Sequence, residues 1–197
     1  MSSVTLCLRG ESCATPKGVQ SSVPRQIREI PDPWKGGPRL LSVGEIAPNF
    51  DLPVLVGGVK QRFHLRDERG KRNLVLAFYP SNWDNVSAQQ MIAYQVEREK
   101  LLARNAEVVG ITVDSIMNIT SWERDIGPFD HLLCSDFWPH GHVSRQYGVL
   151  REGEPLRGAS ERAVFVIDQT GRVRFRKTYA LDQQPDLEET LMALKSL

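Results

Sequence analysis

The sequence predicts an α/β domain in which helices cover both faces of a mixed β-sheet. The continuous apolar run 74–79 is typical of a strand that is buried on both faces, and residues 108–113 are expected to form the next buried strand. Segments rich in helix formers separate the strand-like segments, and a hairpin followed by a last helix completes the chain. At 197 residues the chain has the length of one ordinary domain with a tail.

The first half of the domain is expected to begin with a hairpin. Short strands at 50–55 and 61–65 flank the Gly57 and Gly58 turn. The apolar run 74–79 follows as a buried strand. From Ser87 to about Leu102 there is no Gly or Pro and there are many helix formers, so we expect one long helix.

The second half repeats the alternation of strands and helices. After the strand at 108–113 we expect a helix at 116–125, a strand at 132–134, a helix at 141–147, and strands at 163–167 and 172–175. The turn between the last two strands is Asp168-Gln169-Thr170-Gly171, a hairpin signal. Pro185 opens a terminal helix that buries Leu187, Leu191 and Leu194.

Residues 1–41 are interpreted as an N-terminal extension, a flexible or docked arm before a domain at 42–197. The segment is rich in Ser, Pro and Gly and has no periodic apolar face. Trp34 is the one residue expected to anchor it.

Composition excludes several classes of function. The apolar fraction is 41% and the formal net charge is +1, which gives no indication of a nucleic-acid or membrane partner. The N-terminal apolar stretch is too short for a signal peptide, so we expect a cytoplasmic protein.

The three cysteines, Cys7, Cys13 and Cys134, contain no Cys-x-x-Cys pair and predict neither a disulfide framework nor a zinc site. Cys7 and Cys13 are read as incidental thiols of the tail, although they could pair with each other or with another chain. Cys134 lies on a short apolar segment, where a cysteine is more often a core residue than a nucleophile.

Other catalytic patterns are weak. Asp136, His140 and His142 invite a metal site, but their spacing does not match a helical pair of ligands. Ser87 with Asp84 lacks the Gly-x-Ser-x-Gly elbow of a hydrolase, and no phosphate-binding loop is present. We therefore expect no metal and no cofactor.

Short motifs from residue 43 to the C-terminus resemble those of one family in the same order. They are Val43-Gly44-Glu45-Ile46-Ala47-Pro48-Asn49-Phe50, Leu76-Ala77-Phe78-Tyr79-Pro80, Val109-Gly110-Ile111-Thr112-Val113-Asp114-Ser115, Leu133-Cys134-Ser135-Asp136 and the 160–168 segment. This series is similar to the peroxiredoxins, the alkyl hydroperoxide reductase/thiol-specific antioxidant family. The resemblance implies a thioredoxin fold, a homodimer, and a hydroperoxide and a thiol reductant as substrates of any active member.

The resemblance also implies the site residues. Pro80 would shield the site from water, and Arg162 would hold the peroxide and lower a thiol pKa. Ser87 falls where the family carries its peroxidatic cysteine, Asp84 falls at a Thr or Ser position, and Gln90 falls where Glu or Gln is common.

Two of these positions depart from the family pattern. A serine hydroxyl lacks the sulfur that becomes a sulfenic acid, so residue 87 cannot support the redox step. Asp84 would raise the pKa of a neighbouring thiol. We expect Asp84 either to pair with Arg162 or to cap the helix that follows.

Three functional interpretations remain open at this point. Ser87 is an engineered replacement in a thiol peroxidase, or the chain is a natural pseudo-enzyme that binds or assembles with a partner, or the peroxidase chemistry has moved to Cys134.

Overall fold

The computed structural model describes residues 39–197. The strands are β1 Asp51–Val56, β2 Val59–His64, β3 Asn73–Phe78, β4 Ala106–Thr112, β5 Leu132–Ser135, β6 Arg162–Ile167 and β7 Val173–Tyr179. The helices are α1 Asn85–Val96, α2 Arg98–Leu102, α3 Ile116–Ile126, α4 His142–Gln146 and α5 Leu187–Lys195, with a short 3-10 helix at Leu65–Glu68.

One seven-stranded sheet runs through the described residues in the order β2-β1-β5-β4-β3-β6-β7. The central pairs β3–β4 and β4–β5 are parallel, and every other pair is antiparallel. The prediction of an α/β domain with a mixed sheet is confirmed.

The central strands bury side chains on both faces, because successive side chains of a strand point to opposite faces. On β3, Leu74, Leu76 and Phe78 enter one core, while Val75 and Ala77 enter the other. The second core is covered by side chains of α1, α2, α3 and α5, and the first by α4 and the segments that precede β1. We call these the α1 face and the α4 face.

The structure adds detail to two predicted elements. The helix expected from Ser87 to Leu102 begins earlier, at Asn85, and is divided at Glu97, whose backbone leaves the helical conformation. No Gly or Pro marks that break, so local sequence signals do not predict it. Gly57 and Gly58 both have positive φ angles, as a tight hairpin turn requires.

The start of the domain is visible in part. Leu41 is buried in the core of the α4 face and Leu40 packs against it, so core packing begins just inside the segment that was assigned to the extension. Trp34, Cys7 and Cys13 lie outside the described residues, and their roles stay predictions. None of the helices between residues 39 and 197 is long and apolar enough to cross a membrane.

Candidate functional site

The predicted site residues meet where β3 ends and α1 begins. The chain leaves β3 at Phe78, and the loop that follows leads to Asp84 at the N-cap of α1. β6 pairs antiparallel with β3, with Phe78 opposite Ala163, so Arg162 lies beside the carboxyl end of β3. Alternation along β6 then directs the Arg162 side chain toward the α1 face.

Arg162 is fully buried and binds four partners. Its Nη2 donates to Asp84 Oδ2 at 2.6 Å, and its Nη1 donates to Ser87 Oγ at 3.2 Å and to Gln90 Oε1 at 3.1 Å. The backbone oxygen of Leu181 accepts from Nε at 3.1 Å and from Nη2 at 2.9 Å. A guanidinium has five N–H groups. These contacts give each of them a partner.

Asp84 combines both roles that the sequence offered as alternatives. Its Oδ2 accepts from the Ser87 backbone N–H at 2.9 Å, which caps α1, and from the Ser87 hydroxyl at 2.8 Å. The same oxygen forms the ion pair with Arg162. Burial opposes ionisation, but the hydrogen bonds from Ser87 and Arg162 outweigh it and lower the pKa of Asp84.

The Ser87 hydroxyl has both of its hydrogen-bonding functions in use. It donates to Asp84 and accepts from Arg162, and the residue is fully buried. Gln90, one turn further along α1, accepts from Arg162 and donates from Nε2 to Tyr94 Oη at 3.4 Å. Burial raises the pKa of Tyr94 to about 12, so this phenol stays protonated at neutral pH. Tyr94 and Leu181 are members of the network that sequence reasoning missed, and a backbone oxygen such as that of Leu181 leaves no side-chain signal.

A cavity of about 320 Å³ opens onto the ion pair. Pro80, Ser81, Trp83, Asp84, Leu156, Arg162 and Leu181 line it. A larger groove of about 910 Å³ lies near the start of β3, around Asn73, Asn105 and Lys195, and contains none of the predicted site residues. We place the functional site at the smaller cavity because the polar network lies there.

Cys134 lies apart from this site. It is fully buried in the core of the α4 face, whereas α1 covers the opposite face of the sheet. Burial and the nearby Asp136 raise the pKa of its thiol above the ordinary value. A protonated thiol without solvent access is a poor nucleophile.

Two residues of the weak metal motif have other hydrogen-bond partners. Asp136 accepts hydrogen bonds at the start of α4, and His140 contacts the backbone oxygen of Gly158 at 2.7 Å. Between residues 39 and 197, no three His, Cys, Asp or Glu side chains are grouped as metal ligands would be.

Comparison with known proteins identifies the family. The model of the AhpC/TSA family matches residues 43–176, most of the described chain. The chain belongs to the AhpC/TSA family. Among its relatives is sll0755 of Synechocystis, named as a candidate peroxiredoxin, 34% identical over 164 residues that span 80% of this chain and 79% of the relative. Alkyl hydroperoxide reductase E of Mycobacterium tuberculosis is 32% identical over 136 residues, 69% of this chain and 84% of the relative.

Solved structures of a 2-Cys peroxiredoxin and of AhpC share the fold. Reduced 2-Cys peroxiredoxin of Plasmodium vivax superposes with a TM-score of 0.73 at 27% identity, covering 79% of this chain and 81% of that one. The AhpC structure of Mycobacterium tuberculosis gives a TM-score of 0.71 at 21% identity, covering 80% and 98%. The predicted thioredoxin fold of a peroxiredoxin is confirmed.

Proposed function

We propose that this chain is a natural AhpC/TSA-family protein that does not reduce peroxide at residue 87 and uses the family site as a binding pocket. Ser87 takes the position of the peroxidatic cysteine at the N-terminus of α1, where a thiolate would be stabilised by helix N–H groups. A hydroxyl there has no sulfur to oxidise. The site keeps the arginine and the helix N-terminus that the family resemblance implies, but it lacks the sulfur that is oxidised.

One observation carries the proposal: every N–H of Arg162 is already engaged by Asp84, Ser87, Gln90 or Leu181. An arginine that holds a peroxide needs free donors directed at it. Here the Asp84 carboxylate takes the place that a thiolate or a peroxide oxygen would occupy as the negative partner of Arg162. The arrangement is neutral and complete by itself.

The same network supports a natural serine over a single Cys→Ser replacement. The Ser87 hydroxyl donates to Asp84 and accepts from Arg162, so the side chains at 84 and 87 fit each other. Asp84 beside a thiol would raise its pKa, which an active peroxidase must avoid. The relocated-peroxidase interpretation is weakened by the burial of Cys134.

The test compares hydroperoxide consumption, with excess dithiothreitol, by the unaltered chain, Ser87→Cys and Ser87→Cys/Asp84→Thr. We expect the unaltered chain to match the reductant's background rate. The double variant should be at least about tenfold faster than Ser87→Cys, because removal of the carboxylate lowers the thiol pKa and frees an Arg162 donor. Hydroperoxide consumption well above background by the unaltered chain would contradict the proposal. Cys134 would then be the first candidate for the reactive thiol.

The homodimer and the cytoplasmic location, which the resemblance and the composition suggested, remain proposals. Family membership supports the dimer, and sedimentation equilibrium tests it: a monomeric mass would exclude it. Fractionation of source cells tests the location, and recovery in a membrane or secreted fraction would exclude the cytoplasm.

A further inference from the structure

At the cavity, the exposed partner of the Asp84–Arg162 ion pair is the carboxylate. The side chain of Arg162 has no exposed surface, whereas 34% of the Asp84 side chain is exposed. These are the only two charged residues that line the cavity within the described chain. The Asp84–Arg162 ion pair has no net charge, but only its carboxylate is exposed to a ligand in the cavity.

The hydrogen-bonding capacity of Arg162 and Asp84 also favours a ligand that donates hydrogen bonds. An anion that entered would find each N–H of Arg162 already used. On Asp84, all of the hydrogen bonds go to Oδ2, and Oδ1 accepts none from any residue between 39 and 197. A carboxylate oxygen has lone pairs for a further donor. Among the described residues, Asp84 therefore keeps an acceptor oxygen without a donor, whereas Arg162 keeps no free donor.

The rest of the lining is mainly apolar. Pro80, Leu156 and Leu181 contribute aliphatic surface, and Trp83 contributes an indole. The indole N–H is bound to Asn118 Oδ1 at 3.1 Å, which fixes the ring to the first turn of α3. A fixed indole beside a carboxylate favours a cation with an apolar group. The carboxylate attracts the positive charge, and the face of the ring attracts it as well.

We propose that this cavity binds a small organic ammonium compound, with the N–H groups on Asp84 Oδ1 and the apolar body among Trp83, Leu156 and Leu181. This inference names the ligand class of the binding pocket and so rests on the proposed function. A volume of about 320 Å³ is enough for an arylalkylamine.

The experiment uses three probes of nearly equal shape and different charge: benzylammonium, benzyl alcohol and benzoate. Each is titrated into the full chain at neutral pH and followed by protein NMR. We expect benzylammonium to bind at least about fivefold more tightly than benzyl alcohol, and benzoate to bind most weakly. Equal or tighter binding of benzoate, or no binding of any probe at millimolar concentration, overturns the proposal.

Asp84→Asn provides the sharpest variant. Asn remains a good N-cap, so α1 keeps its start, but Arg162 loses its negative partner. The preference for benzylammonium over benzoate should then be lost, because the cavity no longer presents a carboxylate. An unchanged order overturns the assignment of Asp84 as the cation's partner.

Trp83→Leu tests the aromatic wall without touching the ion pair, and Trp138→Leu is its matched control. Trp138 is 81% exposed and does not line the cavity. We expect benzylammonium affinity to fall about threefold in Trp83→Leu and to be unchanged in Trp138→Leu. Equal affinities in the two variants contradict the role of the indole.

Failure of this inference differs from failure of the proposed function. Peroxide consumption by the unaltered chain would refute the proposed function, whatever the titrations show. A chain that neither consumes peroxide nor prefers benzylammonium would refute the ligand class alone.

Discussion

Two Asp–Ser pairs lie at helix starts in this fold, and their carboxylates have different further partners. At α1, Asp84 Oδ2 accepts from the backbone N–H and hydroxyl of Ser87. At α4, Asp136 Oδ2 accepts from the backbone N–H of Ser144 at 2.7 Å and its hydroxyl at 2.8 Å, while Oδ1 accepts from Val143 N–H at 3.0 Å. Among residues 39–197, Asp84 also binds an arginine, and no ion pair is found for Asp136.

The two carboxyl groups titrate in opposite directions because Asp136 is fully buried, whereas Asp84 is partly exposed and also binds Arg162. Hydrogen bonds from Ser87 and Arg162 outweigh burial and lower the pKa of Asp84. Burial of Asp136 outweighs its hydrogen bonds from Ser144 and Val143 and raises its pKa. The same local motif therefore gives a structural cap at α4 and, with a buried guanidinium and a cavity, a charged site at α1.

The largest predicted effect on stability is at the pair without an arginine. Asp136→Ala leaves three buried donors at α4 without their acceptor and should reduce the free energy of unfolding by about 3 kcal/mol. Asp84→Ala should cost less, about 2 kcal/mol, because the Asp84 side chain is partly exposed and the buried Arg162 keeps its other acceptors. Urea denaturation measures both, and a larger loss for Asp84→Ala would contradict the comparison.

A smaller effect is predicted for the stability of the fold at acidic pH, with opposite signs for Asp84 and Asp136. The lowered pKa of Asp84 means that its ionised form stabilises the fold above the ordinary value of 3.8, and that this contribution disappears as pH falls through its folded pKa. The raised pKa of Asp136 gives a contribution that is present below 3.8 and is lost as pH rises through its folded pKa.

Urea denaturation of Asp84→Asn and Asp136→Asn over a series of pH values on both sides of 3.8 checks these signs. The stability difference between the unaltered chain and Asp84→Asn should shrink as the pH falls. The difference for Asp136→Asn should grow instead. Parallel curves would show that the pKa values of the two carboxyl groups do not shift in opposite directions.

Much of this organisation could be predicted from the sequence. The apolar runs of β3 and β4 identified the centre of the sheet, and the motif order identified Asp84, Ser87, Gln90 and Arg162 as neighbours. The sequence could not decide whether Asp84 caps the helix or pairs with Arg162, because one carboxylate oxygen does both.

Other features of the site depend on contacts that no local pattern records. Leu181 contributes a backbone oxygen to Arg162, and Leu156 reaches the cavity from the loop before β6. The division of the first long helix at Glu97 also occurs without a breaking residue. Each of these is set by tertiary packing, which local propensity does not encode.

The central claim is that Asp84 holds Arg162 and keeps the site unsuited to a thiolate. The most direct measurement is the thiol pKa at residue 87, from the pH dependence of thiolate ultraviolet absorbance after subtraction of the unaltered chain. Ser87→Cys and Ser87→Cys/Asp84→Thr are compared, with Ser144→Cys as the matched control beside a carboxylate that has no arginine.

We predict that the thiol pKa is at least about one unit lower in the double variant than in Ser87→Cys, and highest in Ser144→Cys. Equal values in Ser87→Cys and the double variant, or a higher value in the double variant, would contradict the claim that Asp84 controls this site.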